Sequence, residues 1–285
     1  LKGDTAFSAY PLQKEEESML FRRFVFALFC FFQLGICQGQ LDETKIWNDF
    51  TAWLKNQPAV AWQVLIPEYK PQLITSGLSE AKAGEYLSII EKLAKERPLD
   101  LEAIDFDKYY LNDTFNFSKA PNAFLAAVIS DFKPGRALDV AMGNGRNWVF
   151  LAEKGWDVTG FDIATEGLRL AREKAEKLGR KITTVRATHE DFDYGRNRWD
   201  LVVMTYSWAP MNKPEYIQRI YDSLEPGGII LVEDNTGSLG RKKVGDNFLL
   251  KWFESFRILR YEAEGSGSEW GNPKDLVYRL LAQKP

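Results

Sequence analysis

The residues best suited to chemistry in this chain are acids and glycines gathered around one short loop. In ALDVAMGNGRN, residues 137–147, an apolar run ends and Gly143 and Gly145 follow, two apart. Glycine there allows a left-handed backbone, and without a Cβ it lets a ligand lie against the main chain. Free amides at a helix start hold a carboxylate or phosphate. Asp139 sits inside the apolar run, and Ala141 stands where a third glycine would complete an alternating series. A second acid, Asp162, closes GWDVTGFDIA, about 20 residues on, as expected of a clamp for ribose hydroxyls. A third, Asp191 beside Phe192, follows in THEDFDY. Each has a plainer role open to it: Asp162 a helix cap, Asp191 a turn residue, Phe192 core, Asp139 a brace for loop amides. Together they predict a cradle for a small anionic or zwitterionic ligand. A negative φ at Ala141 would leave the tight turn to the two glycines. A positive one would mark strain and favour a binding domain without turnover.

Other chemistries are poorly supplied. His189 is the only histidine, which removes Ser-His-Asp triads, and its place before Glu190 and Asp191 reads as structural or solvated. Both cysteines, Cys30 and Cys37, lie near the N terminus. No metal site is expected, because carboxylates alone have no supporting spacing here. A formal net charge of -3 over 285 residues gives no electrostatic case for nucleic acid.

These residues need elements to position them. From Asn122 onward strands and helices alternate: helix 122–131, strand 137–140, helix 146–154, strand 157–161, helix 165–178, strand 183–186, strand 201–205, helix 213–223, a turn at 225–228 and strand 229–233. That rhythm predicts an α/β fold, a parallel sheet covered on both faces. RILRYEAEG and KDLVYRLLAQ then read as an antiparallel hairpin. Upstream, Trp47, Phe50, Trp53 and Leu54 repeat at helical spacing, and a second helix is predicted from Ser79 to Arg97, where Pro98 stops it. The stretch FDKYYLNDTFNFSKAPN reads as aromatics among turn formers, with core packing their default role.

Over roughly residues 120–285 the chain resembles the class I S-adenosylmethionine-dependent methyltransferases. Asp139-Val-Ala141-Met-Gly143-Asn-Gly145 is similar to that family's D-x-G-x-G-x-G signature, with Ala141 in the first glycine slot. LEPGGIILVED matches the usual entry to the fifth strand, and GRN before a helix is similar to small-molecule methyltransferases of the tellurite-resistance and thiopurine type. The resemblance implies a doubly wound, seven-stranded, mostly parallel Rossmann-like sheet with an antiparallel C-terminal hairpin and an N-terminal helical extension. It implies S-adenosylmethionine as cofactor, contacted by Asp139, Ala141, Gly143, Gly145, Arg146, Asn147, Asp162, Ile163, Asp191, Phe192 and Thr205. It places the acceptor, a small molecule, beside Tyr206, Trp208, Tyr109 and Tyr110; no catalytic residue is assigned. The loop TYSWAPMN lacks the N/D-P-P-Y/F arrangement of enzymes that methylate nucleic-acid amino groups. The alternatives are an NAD(P)-dependent oxidoreductase, disfavoured by Trp148 in the sixth position of G-x-G-x-x-G, and a non-catalytic cofactor-binding domain.

The chain is expected to divide into an upstream segment 1–18, an apolar segment 19–39, a helical extension 40–120 and a methyltransferase domain 121–285. Segment 19–39 has Arg22 and Arg23 before an apolar run, the form of a secretory signal peptide. A hydrophobic helix docked on the domain is the other reading. Membrane contact is expected only through this segment, if uncleaved. Its presence points to export or attachment, whereas the cofactor's cytoplasmic origin points the other way.

Overall fold

The alternating apolar runs form the strands of one sheet in the computed structural model, which describes residues 41–58, 60–112, 118–235, 247–265, 268–269 and 275–285. The signal-peptide-like segment lies outside these residues. Among them, no helix is long and apolar enough to cross a membrane.

The sheet has seven strands: β1 Arg136–Val140, β2 Asp157–Asp162, β3 Thr183–Arg186, β4 Trp199–Thr205, β5 Leu224–Asn235, β6 Arg257–Glu264 and β7 Val277–Gln283. Their order is β3-β2-β1-β4-β5-β7-β6. The first five run parallel, with Val140 opposite Phe161 and Met204, and β7 returns antiparallel between β5 and β6. This is the mixed, mostly parallel sheet with a terminal hairpin that the sequence pattern predicts. Central strands are buried on both faces, so they read as continuous apolar runs. Leu138, Val202 and Met204 point into one helical layer, Ala137, Leu201 and Val203 into the other. Burying each larger side chain contributes about 1.5–3 kcal/mol.

Helices cover both faces: α6 Ala123–Val128, α7 Arg146–Glu153, α8 Thr165–Lys177 and α9 Pro214–Ser223, with a short α10 at Phe248–Trp252. Asn122 caps α6, its side chain accepting from Leu125 N. The expected turn at 225–228 is instead a bulge inside β5. Pairing jumps from Trp199↔Leu224 to Leu201↔Ile229, Gly227 takes φ +80°, and its amide donates to Lys284 O, so the ladder continues past the irregularity.

Among the described residues, five helices come before α6: α1 Glu43–Leu54, α2 Trp62–Glu68, α3 Lys70–Thr75, α4 Glu80–Glu96 and α5 Pro98–Asn112. Packing divides the chain after Asn48, and the sheet and its covering helices belong to the unit from Asp49 to Pro285. Ser79 caps α4, accepting from Lys82 N. Pro98 ends that helix as expected but also begins α5, since a missing N–H costs nothing at a first helical position. The aromatic stretch from Phe106 to Asn112 is therefore helical, where turns had been expected.

Candidate functional site

The chain builds β1, β2 and β3 outward in one direction and then crosses back to place β4 beside β1. Ligands of open α/β sheets bind at such a switch point, beyond the carboxyl ends of the strands. A cavity of about 870 Å³ opens there.

Its floor is the glycine loop. Met142 N donates to Phe161 O at 3.0 Å and Gly145 N to Met142 O at 2.9 Å, so the chain must reverse between Val140 and Gly145. Gly143 and Gly145 take φ +54° and +76°. Ala141 also takes a positive φ, +51°, the strained one of the two conformations the sequence leaves open. The tether on Met142 leaves one residue to make the bend. A left-handed alanine is disfavoured by about 1–2 kcal/mol. Strain of this kind gathers at functional sites, and here Tyr206 (φ +51°) and Trp208 (φ +53°) share the cavity wall with Ala141. The strain follows the cavity rather than marking decay. Ala141→Gly is expected to stabilise the protein by about 1 kcal/mol in denaturant unfolding; a loss of stability would show that the methyl group, not the dihedral, decides this position.

Asp162 lies at the end of β2, 8% exposed. Its Oδ2 accepts from Gly143 N and its Oδ1 from Ala164 N, both at 2.8 Å. The acid thus ties the loop to the start of α8. Burial pushes its carboxyl up to about 6 despite these amides. Asp139 sits deeper: burial raises it to about 7, opposed in part by the charge of Arg146 and by the dipoles of Asn147 and the Trp148 amide. It braces the first turn of α7, and its Oδ2 has no partner.

The opposite wall follows β4. Asn147 joins the two sides, its Nδ2 donating to Thr205 Oγ1 and its Oδ1 accepting from Asn122 N, each at 2.9 Å. The Tyr206 hydroxyl donates to Glu233 Oε1 at 2.9 Å and accepts from Glu269 N. Glu233, fully buried on β5, also receives Asn122 Nδ2 and Arg279 Nε at 2.6 Å each. Arg146 donates to Glu269 at 2.6 Å. His189 hydrogen-bonds Ser207 O through Nε2 and the Tyr216 hydroxyl through Nδ1. Nε2–H donates to that carbonyl, and in a neutral ring Nδ1 accepts from the phenol. Burial holds its pKa below the ordinary value.

Helix α5 closes the remaining side. Asp107 Oδ1 accepts from Glu166 N at 2.8 Å, capping α8 from a neighbouring helix. One turn on, Tyr110 lies over the loop so closely that a Cβ at Gly143 would overlap its hydroxyl, and one at Gly167 would reach its ring at 2.9 Å.

Of the residues expected at the site, Ala141, Gly143, Arg146, Asn147, Asp162, Ile163, Thr205, Tyr206, Trp208 and Tyr110 line this cavity. Asp139 lies beneath the loop, and Gly145 packs on α8, where a Cβ would stand 3.0 Å from that of Ala171. Phe192 stacks on Phe161 in the core at 4.2 Å, and Asp191 pairs with Thr188 at 2.7 Å. Ala187, Thr188, His189 and Glu190 line the wall after β3 instead, and Tyr109 does not reach it. Sequence reasoning missed Glu102, Asp107, Glu233 and Glu269. Glu233 alone left a signal, an acid inside the apolar run IILVED.

A glycine loop and a strand-end acid thus meet at the switch point of a 3-2-1-4-5-7-6 α/β sheet, the strand order of a Rossmann-like methyltransferase fold. Residues 137–228 match the family model of the methyltransferase domain, and across that stretch the chain is similar to the class I S-adenosylmethionine-dependent methyltransferases. It is 30% identical over 105 residues to an uncharacterized methyltransferase of Synechocystis sp., covering 35% of this chain and 48% of that one. It is 29% identical over 125 residues to the ubiquinone biosynthesis O-methyltransferase of Cereibacter sphaeroides, covering 42% and 51%. The chain thus spans about half the length of the curated relatives it matches. Among solved structures, TehB from Haemophilus influenzae superposes with a TM-score of 0.50 at 19% identity, over 63% of this chain and 67% of that one, a likeness of fold.

Proposed function

We propose that this chain transfers a methyl group from S-adenosylmethionine to a small-molecule acceptor. The observation carrying this reading is the convergence of Gly143 and Asp162 on one cavity at the switch point. When bound, the cofactor supplies an electrophilic methyl group on a sulfonium. Each Asp162 oxygen keeps a lone pair beyond the amide it accepts, enough for a ribose hydroxyl apiece. Gly143 lines the same cavity, with its amide held by Asp162. Phe161, Tyr206 and Trp208 give the cavity aromatic surface that tolerates a cation. In-line displacement at carbon needs alignment above all, and the hydrogen-bonded wall from Asn147 to Glu233 supplies a rigid frame for it. His189 has both ring nitrogens engaged, so its role is to hold the Ser207 backbone rather than take a proton.

A nicotinamide enzyme fits less well. Trp148 is 1% exposed and fills the core between α7 and the sheet, where the dinucleotide motif needs glycine for close packing. Titration calorimetry separates the two: micromolar binding of S-adenosylhomocysteine is expected, with no heat from NADH. Tight NADH binding, or silence from both S-adenosylmethionine and its demethylated product, would sink the proposal.

A further inference from the structure

The α5 residues Leu99, Glu102, Phe106 and Tyr110 recur at helical spacing and all line the cavity. Three are apolar or aromatic; the fourth is a half-buried carboxylate. Among the described residues no cation or hydrogen-bond donor faces Glu102. Burial and the charge of Asp105 both raise its pKa. The other acids of the wall are accounted for. Asp162 holds the loop amides, Glu269 holds Arg146, and Glu190 has Lys213 at 3.6 Å. Arg146 is the wall's one cation among the described residues, and Glu269 occupies it.

The rings near Glu102 are arranged as a receptor. Phe106, one turn along, meets Trp208 edge to face at 6.0 Å, joining α5 to the loop after β4. Trp208 is 50% exposed, held at the rim by its left-handed backbone. A carboxylate partly removed from water loses solvation unless a partner replaces it, and an ammonium gains both from the charge and from aromatic faces. A carboxylate or phosphate acceptor would meet repulsion there, and a neutral one would leave Glu102 unpaired.

We propose that the methyl acceptor is a small amine, cationic at neutral pH, whose ammonium group is held by Glu102 with the rings of Phe106 and Trp208 beside it. This rests on the methyltransferase reading above and names the acceptor class for the same cavity.

The test uses the full chain saturated with S-adenosylhomocysteine, titrated with 2-phenylethylamine, 2-phenylethanol and 3-phenylpropionate. The three share an aryl-ethyl body and differ in charge. The amine is expected to bind at least about tenfold more tightly than the alcohol, with the carboxylate weakest, a tenfold step being about 1.4 kcal/mol. Glu102→Gln should bring amine and alcohol within about twofold, and Glu102→Lys should invert the order toward the carboxylate. Each variant's own S-adenosylhomocysteine titration reports its folding. Equal affinities, no amine binding at millimolar concentration, or an amine preference that survives in the Gln variant would overturn the assignment. Failure of S-adenosylhomocysteine to bind the unmodified chain would instead overturn the methyltransferase reading, so the two failures are distinct.

Discussion

Asp162→Ala is expected to lower affinity for S-adenosylhomocysteine by about a hundredfold or more and to destabilise the unliganded fold by about 2–4 kcal/mol. The first effect follows from losing two charge-assisted hydrogen bonds to ligand hydroxyls, each worth about 1.5–3 kcal/mol. The second follows from the amides of Gly143 and Ala164, which would lose the oxygens they now donate to at 2.8 Å; a buried donor left unmade costs about 1–3 kcal/mol. Asp162→Asn should recover only part of this. Its oxygen can serve one amide, but its NH₂ group then faces the other donor. A pH signature separates the two effects. Burial lifts the folded carboxyl to about 6, above the ordinary aspartate value of about 3.9. Between those values the folded chain holds a proton that the unfolded chain has released. Its contribution to stability is therefore complete below about pH 4 and lost as pH rises toward 6. Ligand affinity runs the other way, falling as pH drops through 6 and the acceptor oxygens are protonated. Calorimetry between pH 5 and 8, set against thermal unfolding over the same range, reads both slopes. Unchanged affinity in the alanine variant would mean that Asp162 only braces the loop.

Much of this architecture was legible in the sequence because the information is local. The apolar runs of β4 and β5 are continuous, since central parallel strands are buried on both faces. Gly143 and Gly145 are explicit requests for a left-handed backbone. What was not legible depends on distant partners. The dihedral at Ala141 is imposed by the bond from Met142 N to Phe161 O, a contact across strands that no spacing within the loop reveals. Residues 106–112 contain the turn-forming asparagine and aromatic pairs that spoil a helical pattern, yet α5 forms because Asp107 docks on the first turn of α8 and Tyr110 packs on Gly167. The segment after β3 shows the same limit. Asp191 turns back onto Thr188 and Phe192 drops onto Phe161, leaving Ala187 to Glu190 on the cavity. A motif fixes which strand end carries the site, but the turn that follows decides which side chain faces the ligand.

Glu233 is the clearest case of a residue whose importance is tertiary, and Glu233→Ala is expected to cost about 3–5 kcal/mol of stability. At 1% exposure it gathers three donors from three parts of the chain: Asn122 before α6, Tyr206 after β4 and Arg279 on β7. Removing one partner of a buried ion pair leaves the other charge uncompensated, which is where a cost of about 3–5 kcal/mol arises. Arg279 keeps Glu264 at 2.8 Å on its exposed side, which should hold the loss toward the lower end. Tyr206 has less to fall back on. Its backbone amide would still donate to the carbonyl of residue 233, but its hydroxyl would lose the acceptor that helps hold a left-handed tyrosine in place. That residue sits two before Trp208, so relief of the strain should alter the Trp208 environment and loosen the cavity rim. Urea unfolding gives the first number, and quenching of Trp208 emission, isolated by comparison with a Trp208→Phe background, gives the second. Replacing the pair together, Glu233→Leu with Arg279→Leu, should regain part of the stability by removing both buried charges. It should leave the Tyr206 segment as loose as the single variant does, because the Tyr206 hydroxyl loses the same acceptor in both. A Glu233→Ala loss below about 1 kcal/mol would show that the frame on this side of the cavity is carried by the backbone.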